Sequence, residues 1–279
     1  PAEKNAFGKG SGNADRSQNK RDHVKVPGEY AKIMLPELTF PYLIPGQEVL
    51  LDDGKIHLKI VEKAENVTEN GGENTQEKRY FAKVLWGGLL KSRKSAALPG
   101  AKIYPPTLTN SDLANIKIAN EMGVTGVMQP FVRDHSDLEC VKEALREAGA
   151  EDIRLFAKIE NMDGVRKLEK LLPAADEIVI ARGDLGNAVH LWDLPGFQRQ
   201  ISEKCRAAGK PFMVVTQMLA SMERSPVPTR AEVNDIFHAV MDGAASIMVT
   251  GETAVGDYPV EVIRYMVNTV RSAEKEENR

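Results

Sequence analysis

Residues 177–184 read EIVIARGD, an apolar run that ends abruptly in arginine, glycine and aspartate. Four comparable runs occur in the second half of the chain: GVTGVMQPF at 123–131, IRLFAKIE at 153–160, PFMVVTQM at 211–218 and ASIMVTGE at 245–252. Each stretch between them is long enough for one crossover helix, which is the organisation of βα units in a parallel sheet. The pattern therefore predicts an α/β fold with five such units over residues 101–279.

Two connecting helices carry start and stop signals. In PTRAEVNDIFHAVMDG, at 228–243, Thr229 precedes Glu232 by three positions, which is the pattern of a capping box. Gly243 follows an apolar stripe and is expected to end this helix. A second helix is predicted over NSDLANIKIANEMG, at 110–123, from an Asn or Ser cap to the final glycine.

Residues 23–100 follow a two-residue period instead. The segment IHLKI, at 56–60, alternates apolar and polar residues after the turn signal Asp53-Gly54, with His57 among the polar ones. This alternation is typical of a hairpin with one buried face. It predicts a β-rich unit of six or seven strands.

The bulk composition is that of an ordinary soluble globular protein, with 42% hydrophobic residues, 28% charged residues and a net charge of −3. A mildly acidic chain without a long basic stretch gives no electrostatic reason to expect nucleic acid or an anionic membrane as a partner. No run approaches the roughly 18 consecutive apolar residues of a membrane span. Residues 1–22 are polar and cannot bury enough apolar surface to fold alone, so a flexible N-terminal segment is expected.

The two cysteines, Cys140 and Cys205, lie in unrelated segments without metal-type spacing. We expect free thiols in a reducing compartment, either the cytoplasm or the interior of an organelle. The N-terminus also lacks the apolar core of a signal peptide. Neither cysteine is assigned a function.

Polar side chains follow four consecutive predicted strands. They are Lys158 and Glu160, then Arg182, Gly183 and Asp184, then Thr216, and finally Thr250 and Glu252. Parallel sheets bind ligands at the carboxyl ends of their strands. Glu160 and Asp184 form a plausible Mg²⁺ site, because this hard ion prefers carboxylate oxygens. Gly183 and the amides after it are placed to receive an anion.

Each of these residues has a simpler interpretation when taken alone. Lys158 and Glu160 could be a solvated pair, Thr216 an ordinary strand residue, and Glu252 an acid at a helix start. Arg-Gly-Asp carries little information by itself. Their coincidence at one end of consecutive strands favours a site, because an apolar strand otherwise has no reason to end in charge.

Several motifs together resemble one known family. They are AKIEN at 157–161, IARGDLG at 180–186, VVTQMLASM at 214–222, PTRAEVNDIFHAVMDGA at 228–244 and TGETAVGDYPVE at 250–261. They are similar to the active-site motifs of pyruvate kinases. VLLDDGKIHLKI at 49–60 and GGLLKSRKSAALPG at 87–100 resemble the β-domain that this family inserts into its (β/α)₈ barrel. The resemblance covers roughly residues 25 to 272 and implies a partial TIM-type barrel with an all-β lid over 23–100.

The resemblance implies roles for the strand-end residues. Glu160 and Asp184 would bind Mg²⁺ or Mn²⁺, and Lys158 would neutralise the phosphoryl group that passes from phosphoenolpyruvate to ADP. Thr216 would lie beside the enolate carbon, and Arg182 would belong to the catalytic groups. The backbone at Gly183 and Asp184 would receive the substrate carboxylate.

In the lid, Asp53 would face the site on closure, and Arg93 or Lys94 would reach nucleotide phosphates. The family usually has Lys-Gly-Val-Asn-Leu-Pro-Gly where this chain has KSAALPG at 94–100. Pro130 stands where serine is common, and Asn187 and Ala188 replace an aliphatic residue and Glu.

The first three barrel strands and the C-terminal regulatory domain of the family have no counterpart in the sequence. The missing strands supply phosphate and K⁺ ligands, so a K⁺ ion would lack its usual ligands here. We therefore expect a complementary segment or chain to close the barrel, in a homo- or hetero-oligomer.

The leading hypothesis is a cytoplasmic glycolytic phosphotransferase that makes pyruvate and ATP. One alternative is a non-catalytic structural or regulatory relative. Another is a carbon–carbon lyase that uses the same carboxylate-held Mg²⁺ to stabilise a pyruvate enolate. The basic loop and the lid favour the phosphotransferase.

Overall fold

The computed structural model describes residues 31–52, 54–64, 78–92 and 94–277. The chain divides into two compact units between Pro105 and Pro106, close to the change of sequence period. The predicted segment 1–22 lies outside the described residues.

The first unit is built on an antiparallel sheet. A 3-10 helix, Glu37–Tyr42, precedes the strands β1 (Glu48–Leu51), β2 (Ile56–Lys63), β3 (Tyr80–Trp86) and β4 (Ala96–Ala97), whose spatial order is β3-β2-β1-β4. Strands β1 and β2 pair from Leu51 opposite Ile56, which confirms the predicted hairpin. Six or seven strands were expected, and the part of this unit that the structure describes holds four.

The core of this unit differs from simple alternation at one residue. Leu58 and Ile60 are buried as predicted, but His57 is also buried, at 7% exposure. The β2–β3 register shifts between His57 and Leu58, and the Trp86 ring packs edge-on against the imidazole with centroids 4.2 Å apart. The prediction of a polar, outward-facing His57 is therefore wrong, because this irregularity and the Trp86 ring cover it.

The second unit contains five parallel strands in sequence order. They are β5 (Gly126–Gln129), β6 (Arg154–Ile159), β7 (Glu177–Ala181), β8 (Phe212–Val215) and β9 (Ser246–Met248). These strands coincide with the five apolar runs, and they confirm the α/β class. Within the described residues the sheet does not close on itself, as expected of a partial barrel.

Helices connect the strands. They are α1 (Asn110–Lys117), α2 (His135–Glu147), α3 (Met162–Arg166), α4 (Leu168–Leu171), α5 (Arg182–Ala188), α6 (Leu194–Ala207), α7 (Arg230–Met241), α8 (Gly251–Ala254) and α9 (Pro259–Glu277), with a 3-10 turn at Ala220–Glu223. No described helix is both long and apolar enough to cross a membrane.

The capping predictions had mixed outcomes. The box formed by Thr229 and Glu232 is present at the start of α7. For α1 the predicted cap and end are wrong, because Thr109 is the cap and accepts a hydrogen bond from the amide of Asp112. This helix ends at Lys117, well before the expected glycine.

The two faces of the parallel sheet have different surroundings. The helix-covered face packs into the large core with the helices, through Leu155, Ala157, Ile159, Ile178, Ile180, Phe212 and Val214. The opposite face carries a small cluster of strand residues only, namely Val179, Ala181 and Val215 with half-buried Phe156, Met213 and Met248. Polar residues extend from this opposite face at the carboxyl ends of the strands.

Candidate functional site

An ion pair with a buried carboxylate lies at the end of β6. Lys158 is in the strand and Glu160 follows it directly, and Lys158 Nζ lies 2.8 Å from Glu160 Oε1. The Glu160 side chain is only 1% exposed. The spacing of two therefore places both side chains on one face, as predicted, and the alternative of a solvated pair is wrong for Glu160.

The second oxygen of this carboxylate is also engaged. The amide of Phe131 donates to Glu160 Oε2 at 2.7 Å. Phe131 has a φ of 52°, in the region that glycine favours, and the segment after β5 is tied down next to it. Val132 helps to hold this segment. Its amide donates to the carbonyl of Lys158 at 3.3 Å, and its carbonyl accepts from Asn161 Nδ2 at 3.1 Å. Sequence reasoning missed Phe131, because a backbone donor leaves no side-chain signal.

Two further predicted residues meet between the ends of β7 and β8. The Gly183 amide, in the first turn of α5, donates to Thr216 Oγ1 at 2.8 Å. That hydroxyl donates in turn to the carbonyl of Val215 at 2.6 Å. Thr216 and Gln217 both have positive φ, 73° and 53°. The Thr216 hydroxyl is therefore fixed at the carboxyl edge of the sheet.

Arg182 is turned toward α7. Its Nη1 lies 2.6 Å from Asp235 Oδ2, and its Nη2 donates to the carbonyl of Thr216 at 2.7 Å and to Met218 Sδ at 2.8 Å. The Arg182 side chain is 12% exposed. Sequence reasoning missed Asp235 and Met218, because both lie far from Arg182 in the sequence.

The carboxylates present fit a magnesium ion held by few protein ligands. Asp184 is half-buried in the first turn of α5. Within the described residues, no group of three or more His, Cys, Asp or Glu side chains is placed to hold a metal. Mg²⁺ commonly uses one or two carboxylates together with water and substrate phosphate. Each Glu160 oxygen accepts one bond, from Lys158 or from Phe131, and keeps a second lone pair, so this carboxylate has the acceptor capacity that a metal ligand needs.

Glu252 is held by backbone amides from two segments of the chain. It is buried, and it accepts from the amides of Thr250 at 2.8 Å and Leu219 at 3.2 Å. It lies in the first turn of α8. The simpler interpretation of Glu252, an acid at a helix start, is therefore the one observed.

The predicted lid residues belong to the first unit. Asp53 and Arg93 lie outside the described residues. Lys94 Nζ lies 2.9 Å from Asp52 Oδ1, and Lys55 Nζ lies 3.6 Å from the other oxygen. Burial alone raises the pKa of Asp52, but the two ammonium groups outweigh burial and hold that pKa below its usual value.

The model of the pyruvate kinase barrel domain matches residues 17–263. The chain belongs to the pyruvate kinase family. It is 38% identical to a pyruvate kinase of Bacillus licheniformis over 230 residues, and 40% identical to one of Geobacillus stearothermophilus over 233 residues. Each alignment covers 82% of this chain and 38% of the relative. A Clostridium acetobutylicum pyruvate kinase is 35% identical over 234 residues, 84% of this chain and 47% of the relative. The chain thus spans less than half the length of these relatives.

Proposed function

We propose that this chain supplies the metal- and phosphoryl-binding half of a pyruvate kinase site. The reaction moves the phosphoryl group of phosphoenolpyruvate to ADP and yields pyruvate and ATP, a step of glycolysis. The observation that carries the proposal is the ion pair between half-buried Lys158 and buried Glu160 at the carboxyl end of the parallel sheet. Burying such charge is unfavourable unless it is compensated, and this pair lies at the strand ends where parallel sheets bind ligands.

The side chains have distinct roles in this proposal. Lys158 neutralises the phosphoryl group in transit, because phosphoryl transfer depends on positioning and positive charge. The backbone of Gly183 and Asp184 receives the substrate carboxylate, and for this the Gly183 amide exchanges its bond to Thr216 Oγ1 for one to the substrate. The Thr216 hydroxyl lies beside the enolate carbon, on the path by which a proton reaches it to form pyruvate.

Glu160 and Asp184 are the proposed ligands of Mg²⁺ or Mn²⁺. The ion supplies positive charge beside the transferring phosphoryl group when it is bound. A K⁺ ion, if used, takes ligands outside this sequence. Around the ion, the amide of Phe131 orients Glu160, and Lys158 compensates its charge.

The lid residues Asp53, Arg93 and Lys94 are proposed to act on the nucleotide side. Arg93 and Lys94 contact the phosphates of ADP, and closure of the lid excludes water. Lys94 Nζ pairs with Asp52 Oδ1 at 2.9 Å, so the proposed contact with ADP requires Lys94 to exchange or share this partner.

Further strands are proposed to complete the barrel. In the described part of the sheet, β5 and β9 each have one neighbour, and unpaired strand edges invite pairing. The complement is another segment of the same polypeptide or a second chain. We propose that the completed protein is an oligomer in the cytoplasm.

The test combines binding with turnover. Thermal unfolding of the chain is followed with and without Mg²⁺ and phosphoenolpyruvate, because a ligand that binds the folded state raises the melting temperature. Pyruvate formation by the protein isolated from its source is followed with a lactate dehydrogenase coupled assay. We expect a higher melting temperature with both ligands and pyruvate formation that requires ADP.

The matched variants are Glu160→Gln and Glu169→Gln. Glu169 also pairs with a lysine, Lys204, at 2.9 Å, but its side chain is 74% exposed. Only Glu160→Gln should abolish the ligand-induced rise in melting temperature. Binding without turnover would favour the non-catalytic relative, pyruvate formation without ADP would favour the lyase, and no response to ligand would reject the proposal.

A further inference from the structure

The segment after β8 adopts an unfavourable backbone conformation. Thr216 and Gln217 are consecutive non-glycine residues with φ of 73° and 53°. A β-branched residue such as threonine is a rare occupant of this region, and such a conformation persists only where its surroundings hold it. Some contact must therefore hold this turn in place.

One nitrogen of Arg182 holds both sides of this turn. Nη2 donates to the carbonyl of Thr216 at 2.7 Å and to the sulfur of Met218 at 2.8 Å. Met218 is fully buried, so the turn is anchored into the core beyond it. The guanidinium plane is rigid, and fixing its other nitrogen therefore fixes these two bonds as well.

That other nitrogen is held by α7. Asp235 Oδ2 lies 2.6 Å from Arg182 Nη1. One turn earlier in the same helix, Glu232 accepts from the amide of Ser221 at 2.7 Å and from its hydroxyl at 2.6 Å. Residues three apart lie on one side of a helix, so a single face of α7 holds both ends of the segment 216–221.

We propose that Asp235 is a positioning residue for the reaction: through Arg182 it sets the Thr216 turn and hence the hydroxyl that meets the Gly183 amide. This inference rests on the proposed function for its kinetic consequence. Asp235 itself contacts no reactant, and Arg182 acts through Thr216 rather than on the phosphoryl group. No covalent step is assigned to either residue.

The test replaces Asp235 with asparagine, which keeps the shape of the side chain but removes its charge. The matched control is Asp257→Asn, because Asp257 forms another Arg–Asp pair, with Arg224 at 2.9 Å, whose side chains are 54% and 71% exposed. Two quantities are measured: the ¹³C-methyl resonance of Met218, assigned by its loss in Met218→Leu, and kcat and KM for phosphoenolpyruvate in the isolated protein.

In Asp235→Asn we expect a shifted Met218 resonance and a kcat reduced about 10- to 100-fold, the range seen when outer partners of a site are removed. KM should change less than about threefold, since no substrate contact is lost. Asp235→Glu, which restores the charge, should recover part of the lost kcat. Asp257→Asn should leave both readouts unchanged.

Arg182→Lys tests the same bonds from the other side and replaces Asp235→Asn if that variant does not fold. In a double variant that carries both Arg182→Lys and Asp235→Asn, the two reductions in kcat should not add, because both substitutions break one chain of contacts. An unchanged Met218 resonance, or a lower melting temperature with an unchanged kcat, would overturn the proposal. If the unmodified protein forms no pyruvate, the proposed function fails, and the Met218 resonance still decides whether Asp235 sets the turn.

Discussion

On one face of the parallel sheet, Leu155, Ile178 and Phe212 are almost completely buried against helices. On the opposite face of the same strands, Phe156 and Met213 are only partly buried, and their cluster includes no helical residue. Successive residues of a strand point to opposite faces, so neighbouring positions in sequence have different surroundings. The helix-covered face supplies stability, and the opposite face carries the candidate chemistry.

The opposite face is polar at both ends. At the amino end Glu177, which is 5% exposed, lies 3.2 Å from Arg154 Nη2 and accepts from Ser246 Oγ at 2.5 Å. At the carboxyl end stands the pair of Lys158 and Glu160.

The largest expected effect on stability separates the two faces. Ile178→Ala removes a fully buried side chain from the helix-covered face and should lower the free energy of unfolding by about 2–5 kcal/mol. Met213→Ala, on the opposite face, should cost less than about half as much, because Met213 is only partly buried. Urea unfolding of both variants measures the difference. Equal losses would show that the opposite face contributes as much as the helix-covered one.

Sequence reasoning identified what depends on local pattern. The spacing of Lys158 and Glu160 was enough to place both on one face, and the Thr229 capping box needed only residues three positions apart. It missed what depends on distant segments. Asp235 meets Arg182 across 53 positions, and no local rule pairs them.

Three other features were missed, each for a different reason. Thr216 adopts a left-handed conformation that sequence would assign to glycine. Phe131 contributes its amide, which every non-proline residue has. His57 is buried because of a register shift that alternation does not reveal. These are contacts set by tertiary structure, which a local period does not encode.

A pH-dependent effect is expected at Asp137, in α2 on the helix side of the sheet. Burial alone raises its pKa, but hydrogen bonds from Arg133 and Thr107 outweigh burial and lower that pKa to about 2. A lowered pKa stabilises the folded state above the ordinary value of 3.8, and this stabilisation disappears as the pH falls toward 2. It corresponds to about 2 kcal/mol at neutral pH.

Asp137→Asn should therefore lower the free energy of unfolding at pH 6, and the difference from the unmodified protein should vanish between pH 4 and pH 2. Chemical unfolding at several pH values measures it. Asp257→Asn, at an exposed pair, is the control and should have little effect. A difference independent of pH would mean that the Asp137 charge does not stabilise the fold.

Glu177→Gln compares the two ends of the opposite face. It removes a charge-assisted bond to Arg154, and we expect the free energy of unfolding to fall by about 1–2 kcal/mol. Pyruvate formation should remain within about threefold of normal, because the amino end carries no proposed reactant contact. Glu160→Gln should abolish activity and should also lower the free energy of unfolding, because it leaves the Lys158 ammonium group without its partner. If Glu177→Gln also abolished pyruvate formation, the amino end of this face would contribute to the chemistry as well as to stability.

The smallest perturbation probes how tightly the helices close over their face of the sheet. Burial raises the pKa of the Cys205 thiol to about 12, and Lys210 opposes that shift only in part. Cys205 lies in the large core, whereas Cys140 is exposed on α2. Because the thiolate is the reactive form, an aromatic disulfide reagent at pH 8 should label Cys140 quickly and Cys205 only when the protein unfolds. Cys140→Ser should leave no fast-reacting thiol, and equal rates for both cysteines would show that the helix layer opens readily.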